Sequence, residues 1–382
     1  MKYKILISVL FLLTLASALV YYYIPTANIA ESGFIAISSV MSGETDSLYK
    51  KADKVIEFKF PDDYGAHDEY KLEWWYFTGN LRSSEGKSFG YQFTIFRNAL
   101  SPSELDIESG LASNQVYFAH IGISDIDAAQ HHHFEKFARG NGKLAGSSFD
   151  PLNIFVENWS ISGDYDNNDY LKPTFNINSE IDGNEIQLNL KPIKDMVLHG
   201  NNGLSPKSNE PGNASYYYSF TRIATEGTIK IRGKSYNVEG SSWMDREWST
   251  SALSENQVGW DWFSIQLDNH EELMLFRLRD SINNTNFAKG TFISSNGDCR
   301  HISQEELLIS PLRTHKLQSG TVYPNEWNLN IPSLDLDLNV KVRFPEQEMK
   351  LTVKYYEGSI NVEGNYRNQK ISGKGFVELT GY

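Results

Sequence analysis

A single cysteine, Cys299, in 382 residues excludes a disulfide framework, so core packing alone must hold the fold. Proline is scarce, 12 residues against 28 glycines, and no amphipathic helical pattern runs beyond three turns. The Glu-rich piece from Ser303 to Leu308 is the best helical candidate, and it is short. Basic charge is also thin. Lys and Arg total 35 against 48 Asp and Glu, a net charge of −13, and no basic stripe interrupts the excess. Long-range electrostatics would therefore repel nucleic acid and anionic surfaces. No Gly-x-Ser-x-Gly elbow, phosphate loop, dinucleotide fingerprint or zinc motif occurs, so neither serine-hydrolase chemistry nor a cofactor is expected.

Apolar residues run unbroken only near the N-terminus. Lys2 and Lys4 precede a run from Ile5 to Val20, and Ala16-Ser17-Ala18 fits the small-x-small rule for signal cleavage. The competing reading is an uncleaved anchor: Ile5 to Ile24 is just long enough to span a bilayer, and Tyr21-Tyr22-Tyr23 would suit its interface. Either way the body of the protein is expected to be exported, to the periplasm or beyond, with membrane association through residues 5–24 in the anchored form. No cysteine lies near this segment, which removes lipid anchoring through a thiol.

What the chain has in quantity is aromatic residues, 13% of the total. Two Trp-rich stretches look like copies of one another. Glu73-Trp74-Trp75-Tyr76-Phe77-Thr78-Gly79-Asn80-Leu81 overlays Gly259-Trp260-Asp261-Trp262-Phe263-Ser264-Ile265-Gln266-Leu267 at an offset of 186 positions. Each is followed by a turn and a second strand, ending in Phe96-Arg97 and Phe276-Arg277. An internal match near half the chain length is what two copies of one folding unit leave behind. Short alternating runs such as Tyr91 to Phe96, Val116 to Ile121 and Ile186 to Leu190 carry the half-buried strand pattern. Residues 1–24 thus read as signal or anchor, 25–54 as linker, 55–224 as a first β-barrel and 225–382 as a second. The seam falls at Thr225-Glu226-Gly227, and the site is expected inside the barrels or between them.

Five stretches then become recognisable: Glu73 to Leu81, Ala214 to Ile223, Gly240 to Ser249, Gly259 to Asp280, and Gly375 to Tyr382. In this order they resemble the AttH-like, lipocalin-like family related to carotenoid 1,2-hydratase, often labelled secreted hydrolases. The resemblance implies an all-β fold of two tandem lipocalin-like (calycin) antiparallel barrels. It also implies a large apolar cavity. Activities in the family range from adding water to an isoprenoid double bond to steering polyene cyclisation, and many members have no assigned reaction.

The densest chemical cluster is Trp243-Met244-Asp245-Arg246-Glu247-Trp248. On a strand, Trp243, Asp245 and Glu247 share one face, while Met244, Arg246 and Trp248 share the other. A carboxyl among indoles in a dry cavity would hold its proton near neutrality. Alkene hydration needs such an acid, together with electron-rich faces to shelter a cation. Asp245 is the first choice of acid and Glu247 the second, against the plain alternative of an ion pair at a barrel rim. Glu73, Trp74, Trp75, Tyr76, Trp243, Trp248, Trp260 and Trp262 are the expected ligand-facing residues.

Other residues read more blandly. Trp74 or Trp75 under Arg222 would close a barrel end in the calycin manner. Glu73, beside two indoles, needs a partner if buried. Asp261 lies opposite Trp260 and Trp262, so it faces solvent or the domain interface if the indoles point into the barrel. His131-His132-His133 reads as an exposed loop, with no metal expected, because zinc sites use spaced ligands. His120 and His199 read as internal polar groups. Two functions remain open: an enzyme acting by acid on a double bond of a lipid or isoprenoid-like molecule, or a non-catalytic carrier of apolar ligands in the cell envelope.

Overall fold

The computed structural model describes residues 35–36, 48–101, 113–141, 143–166, 169–251, 253–254, 256–280 and 287–382. The expected export segment and most of the expected linker lie outside these residues. The linker's last part is part of the fold: Tyr49 and Ala52 are buried, and the Tyr49 hydroxyl donates to the Ala99 carbonyl at 3.2 Å.

Two sheets make up the body, antiparallel throughout except where Ile35–Ala36 pairs parallel with Val353–Tyr366. The first has 13 strands and curls into a nearly closed barrel. At its centre, Leu72–Ser83 lies between Ser88–Ala99 and Lys234–Ser249, with Trp75 opposite Ile95 on one side and Arg246 on the other. The second has 11 strands and repeats the arrangement. There Gln257–Leu267 lies between Glu272–Asp280 and Gln369–Leu379, with Asp261 opposite Arg277 and Leu379. Strand alternation fills each barrel with one face of every strand. Phe77, Phe93, Ile121, Phe175 and Phe220 are among the core of the first, and Phe263, Leu275, Trp327, Ile360 and Val377 among that of the second. The opposite faces of the central strands meet each other in two further apolar clusters.

The chain passes from one sheet to the other between Ser249 and Gln257, well beyond Thr225–Gly227. Ala214–Ile231 runs as one strand through the expected seam, with an irregularity between Phe220 and Ile223, and Lys234–Ser249 stays in the first sheet. Gly227 looked like a turn residue. It serves a close approach instead: at φ 150° a Cβ there would sit 2.1 Å from the Gln187 carbonyl oxygen of the next strand. The cluster from Trp243 to Trp248 therefore belongs to the first barrel. Ser303 caps a single 3-10 turn, Gln304–Glu306, where a helix was the expectation.

Candidate active site at the seam between the barrels

The site is made by the outer faces of the two central strand groups. On Leu72–Ser83, Trp74 and Tyr76 point toward the second barrel, whereas Trp75 and Phe77 are in the first barrel's core. On Lys234–Ser249, Trp243, Asp245 and Glu247 share the seam face, and Met244 and Trp248 pack inward. Gln257–Leu267 sends Trp260 and Trp262 back across the seam. These faces enclose a cavity of about 70 Å³. Its walls include Trp74, Tyr76, Tyr217, Trp260, Trp262 and Phe276. The two half-buried indoles, Trp74 and Trp260, touch both apolar clusters of the seam.

Four carboxyl groups gather in and beside this aromatic enclosure. Asp245, 3% exposed, accepts from the Tyr217 hydroxyl and the Trp243 indole, each at 2.6 Å, and from the Ser219 hydroxyl. Burial outweighs these three donors and pushes its carboxyl up to about 7, with Glu247 adding to the rise. Glu378 enters from the second barrel. Burial pushes it up to about 8, against a hydrogen bond from Trp260 and with Asp245 and Glu247 adding to it. Glu357 lies directly opposite Glu378 on the adjacent strand and is held well above the usual range by burial and by that neighbour. Among the described residues, its carboxyl accepts one hydrogen bond, from the Tyr76 hydroxyl at 2.9 Å. Glu247 differs from the other three because it is ion-paired: Lys207 contacts it, as does the Ser215 hydroxyl. The Lys207 ammonium also lies 5.1 Å from the Tyr217 ring centre and 5.0 Å from that of Phe276.

Chemically, this is an electron-rich enclosure holding buried acids with raised values beside one ion-paired carboxylate. Lys207, Tyr217, Glu357 and Glu378 were not singled out from sequence. Tyr217 and Glu378 stand inside stretches that carried the family resemblance. Glu357 is signalled only by the alternation Tyr355, Glu357, Ser359, which puts a carboxyl on the same face as a buried tyrosine. Among the described residues, no three His, Cys, Asp or Glu side chains converge in a metal-binding arrangement.

Asp245, Glu247, Trp74, Tyr76, Trp260 and Trp262 thus line one cavity, and Trp243 stands behind Asp245 as its donor. Glu73, Trp75 and Trp248 are elsewhere, because alternation turns them into the first barrel. Arg246 lies 4.1 Å from the Trp75 ring centre and 5.1 Å from that of Trp248, an attraction of about 0.5–2 kcal/mol. Its guanidinium and that of Arg97 both bind the Glu73 carboxylate. Burial alone would raise Glu73; the two arginines overcome it and hold the carboxyl well below its usual range. The barrel is closed by Arg246, not by Arg222, which instead reaches across the seam to Glu272 at 2.5 Å.

Asp261 faces neither solvent nor the interface. With Trp260 and Trp262 turned outward, it points into the second barrel, where Arg277, Arg279 and the Tyr382 hydroxyl bind it. His131 to His133 lie in a strand, Gln130–Arg139, not in a loop. His120 bonds the Tyr355 hydroxyl across the seam at 2.9 Å. His199 bonds Ser219 of its own barrel and, across the seam, Thr291.

Comparisons with known proteins agree with this architecture. The family model described as AttH-like matches residues 51–382. A crystal structure of an AttH-type protein from Nitrosomonas europaea is 29% identical, with a TM-score of 0.76 over 87% of this chain and 99% of that one. Kievitone hydratase from Nectria haematococca shares the fold at 16% identity, with a TM-score of 0.67 over 92% of this chain and 98% of that one. Kievitone hydratase from Fusarium solani subsp. phaseoli is 24% identical over 175 residues, 43% of this chain. That match spans about half, 49%, of the relative's length. With its two lipocalin-like barrels and the family match over nearly all of its described residues, the chain belongs to the AttH-like family.

Proposed function

We propose that this protein adds water to a carbon–carbon double bond of a hydrophobic, isoprenoid-type molecule, with Asp245 as the acid. The observation that carries the reading is the state of Asp245: a buried carboxyl poised near neutrality, oriented by three donors, inside a wall of aromatic rings. The relation to kievitone hydratases supports hydratase-type chemistry. The N-terminal segment supports action outside the cytoplasm.

In this reading Asp245 gives its proton to the less substituted carbon of a trisubstituted alkene. The tertiary cation that results is the least costly one, and the faces of Trp74, Trp260 and Trp262 stabilise it. Water then attacks the cation and loses a proton to Glu247, the carboxylate that Lys207 contacts. The cavity admits a double bond and a few waters, so the rest of the substrate enters only as Trp74 and Trp260 move aside. A carrier would need only the apolar walls and would gain nothing from a neutral acid at their centre.

The test is incubation of purified protein with a prenylated phenol or a polyunsaturated isoprenoid, followed by mass spectrometry for a product heavier by one water. Asp245→Asn should bind the same probe and return it unchanged. Probe returned unchanged by both proteins would overturn the reading and favour the carrier.

A further inference from the structure

The seam holds a hydrogen-bonded path that the cavity chemistry does not use. Ser219, on the strand next to Asp245, donates to the Asp245 carboxyl. Its oxygen is 2.7 Å from His199 Nε2, and the other ring nitrogen, Nδ1, is 2.9 Å from the Thr291 hydroxyl of the second barrel. All three residues are fully buried. Thr291 lines a separate groove of about 350 Å³, open on the far side of the seam, with His301 directly opposite it on the neighbouring strand. Phe276 lies between groove and cavity and contributes to the wall of both.

We infer that Thr291, His199 and Ser219 form a proton relay that refills Asp245 from this groove after each turnover, an inference that rests on the acid role proposed above. A buried imidazole with both nitrogens engaged is a donor on one side and an acceptor on the other. Burial, with His301 and Lys207 nearby, keeps the His199 ring neutral, as this exchange needs. Once Asp245 is ionised, the Ser219 hydroxyl proton moves to Asp245 and the His199 Nε2 proton moves to Ser219. His199 Nδ1 takes the Thr291 proton, and Thr291, buried at the groove wall, is reprotonated when groove water penetrates to its hydroxyl. One solvent proton is consumed, no electrons move, and His199 changes tautomer; a flip of its ring, exchanging the two nitrogens, restores the starting arrangement before the next turnover. The proton that Glu247 collects leaves on the Lys207 side of the cavity. The relay residues position and deliver; none of them touches substrate.

Hydrogen–deuterium exchange of the Asp245 carboxyl tests this without any substrate. Its C=O stretching band, identified by its loss in Asp245→Asn, shifts when the protein is transferred to heavy water at a pH where Asp245 is protonated. Thr291→Val should slow that shift by about tenfold or more, and Thr291→Ser should restore it. Ser219→Ala breaks the path at its inner end and replaces Thr291→Val if that variant does not fold. Exchange as fast as in the wild type in a folded, path-broken variant overturns the relay. With a hydrated probe in hand, Thr291→Val should lower kcat at unchanged KM while the first turnover keeps its rate. Absence of turnover in every protein would count against the hydratase reading alone, since the exchange result stands apart from it.

Discussion

Asp245 and Glu378 occupy the same position in the two copies of the folding unit. Asp245 pairs across its sheet with Tyr76, and Glu378 pairs with Trp262. Tyr76 and Trp262 are themselves separated by the 186 positions of the internal repeat. The two carboxyls arrive at one cavity from opposite barrels, and burial raises both. Their surroundings have diverged. Asp245 has three donors and the path to His199, whereas Glu378 faces a second acid, Glu357.

That divergence sets the expected ranking of variants. Asp245→Asn should lower hydration of a probe alkene by about 10²–10⁴-fold, the usual worth of a positioned acid. Glu378→Gln keeps a neutral hydrogen-bonding group at a position argued to be neutral already, so its effect should be under about tenfold. Initial rates on one probe, with circular dichroism confirming the fold of each variant, decide the order. A larger loss in Glu378→Gln would move the acid to the second barrel.

Stability should fall as pH rises through neutrality. The folded-state values of Asp245 and Glu378 are raised from 3.8 and 4.5 to about 7 and about 8. Between those limits the folded protein holds protons that the unfolded chain has released. The stabilising contribution is therefore complete below the unfolded values and lost as pH climbs through the folded ones. The unfolding free energy from urea titrations should drop between pH 5 and pH 8.5 by roughly a few kcal/mol. The Asp245→Asn, Glu378→Gln double variant should flatten the drop. Glu73 acts in the opposite sense: its carboxyl is held low, so its contribution is present above its ordinary value and disappears as acid protonates it.

Tyr76→Phe should loosen the seam. Among the described residues, Tyr76 is the one hydrogen-bond partner of the Glu357 carboxyl, whose other oxygen is buried without a partner. Removing the hydroxyl leaves a neutral acid with neither oxygen satisfied, at a cost of about 1–3 kcal/mol. Thermal unfolding read by tryptophan fluorescence measures it, and an unchanged midpoint would count against the bond.

Arg246→Met should be the more damaging change despite lying outside the cavity. It leaves the buried Glu73 carboxylate with Arg97 and His67 alone and removes the cation above Trp75 and Trp248. Breaking a buried pair from one side costs about 3–5 kcal/mol. A urea titration should show the loss, whereas Arg222→Met, whose partner Glu272 keeps Lys194, should lose less.

The fold class was legible because the alternation and the doubled Trp motif both survive in the strands. The two faces of the Trp243–Trp248 stretch were legible as well, since a period of two needs no tertiary information. Which face points inward was not. Glu73, Trp75 and Trp248 looked like ligand contacts because an indole beside a charge has the same local pattern in a barrel plug as in a cavity wall. The seam position was hidden for a related reason: Gly227 has the composition of a turn, but its role depends on Gln187, 40 residues earlier. Glu357 and Glu378 become partners only through strand pairing, which a linear reading does not contain.

The aromatic face that lines the seam has a history written into it. A single copy of the unit would leave its outward tryptophans uncovered, and such a surface is stable in water only against another like it. Two identical copies would cover each other with matched residues, so any pocket between them would be symmetric, with the same carboxyl facing itself. Joining the copies in one chain removed that constraint. Within one chain each half can differ from its counterpart, and here the aspartate has three donors where the matching glutamate faces a second acid. The candidate site therefore needs both copies: its walls come from either side of the seam, and neither barrel would form it alone.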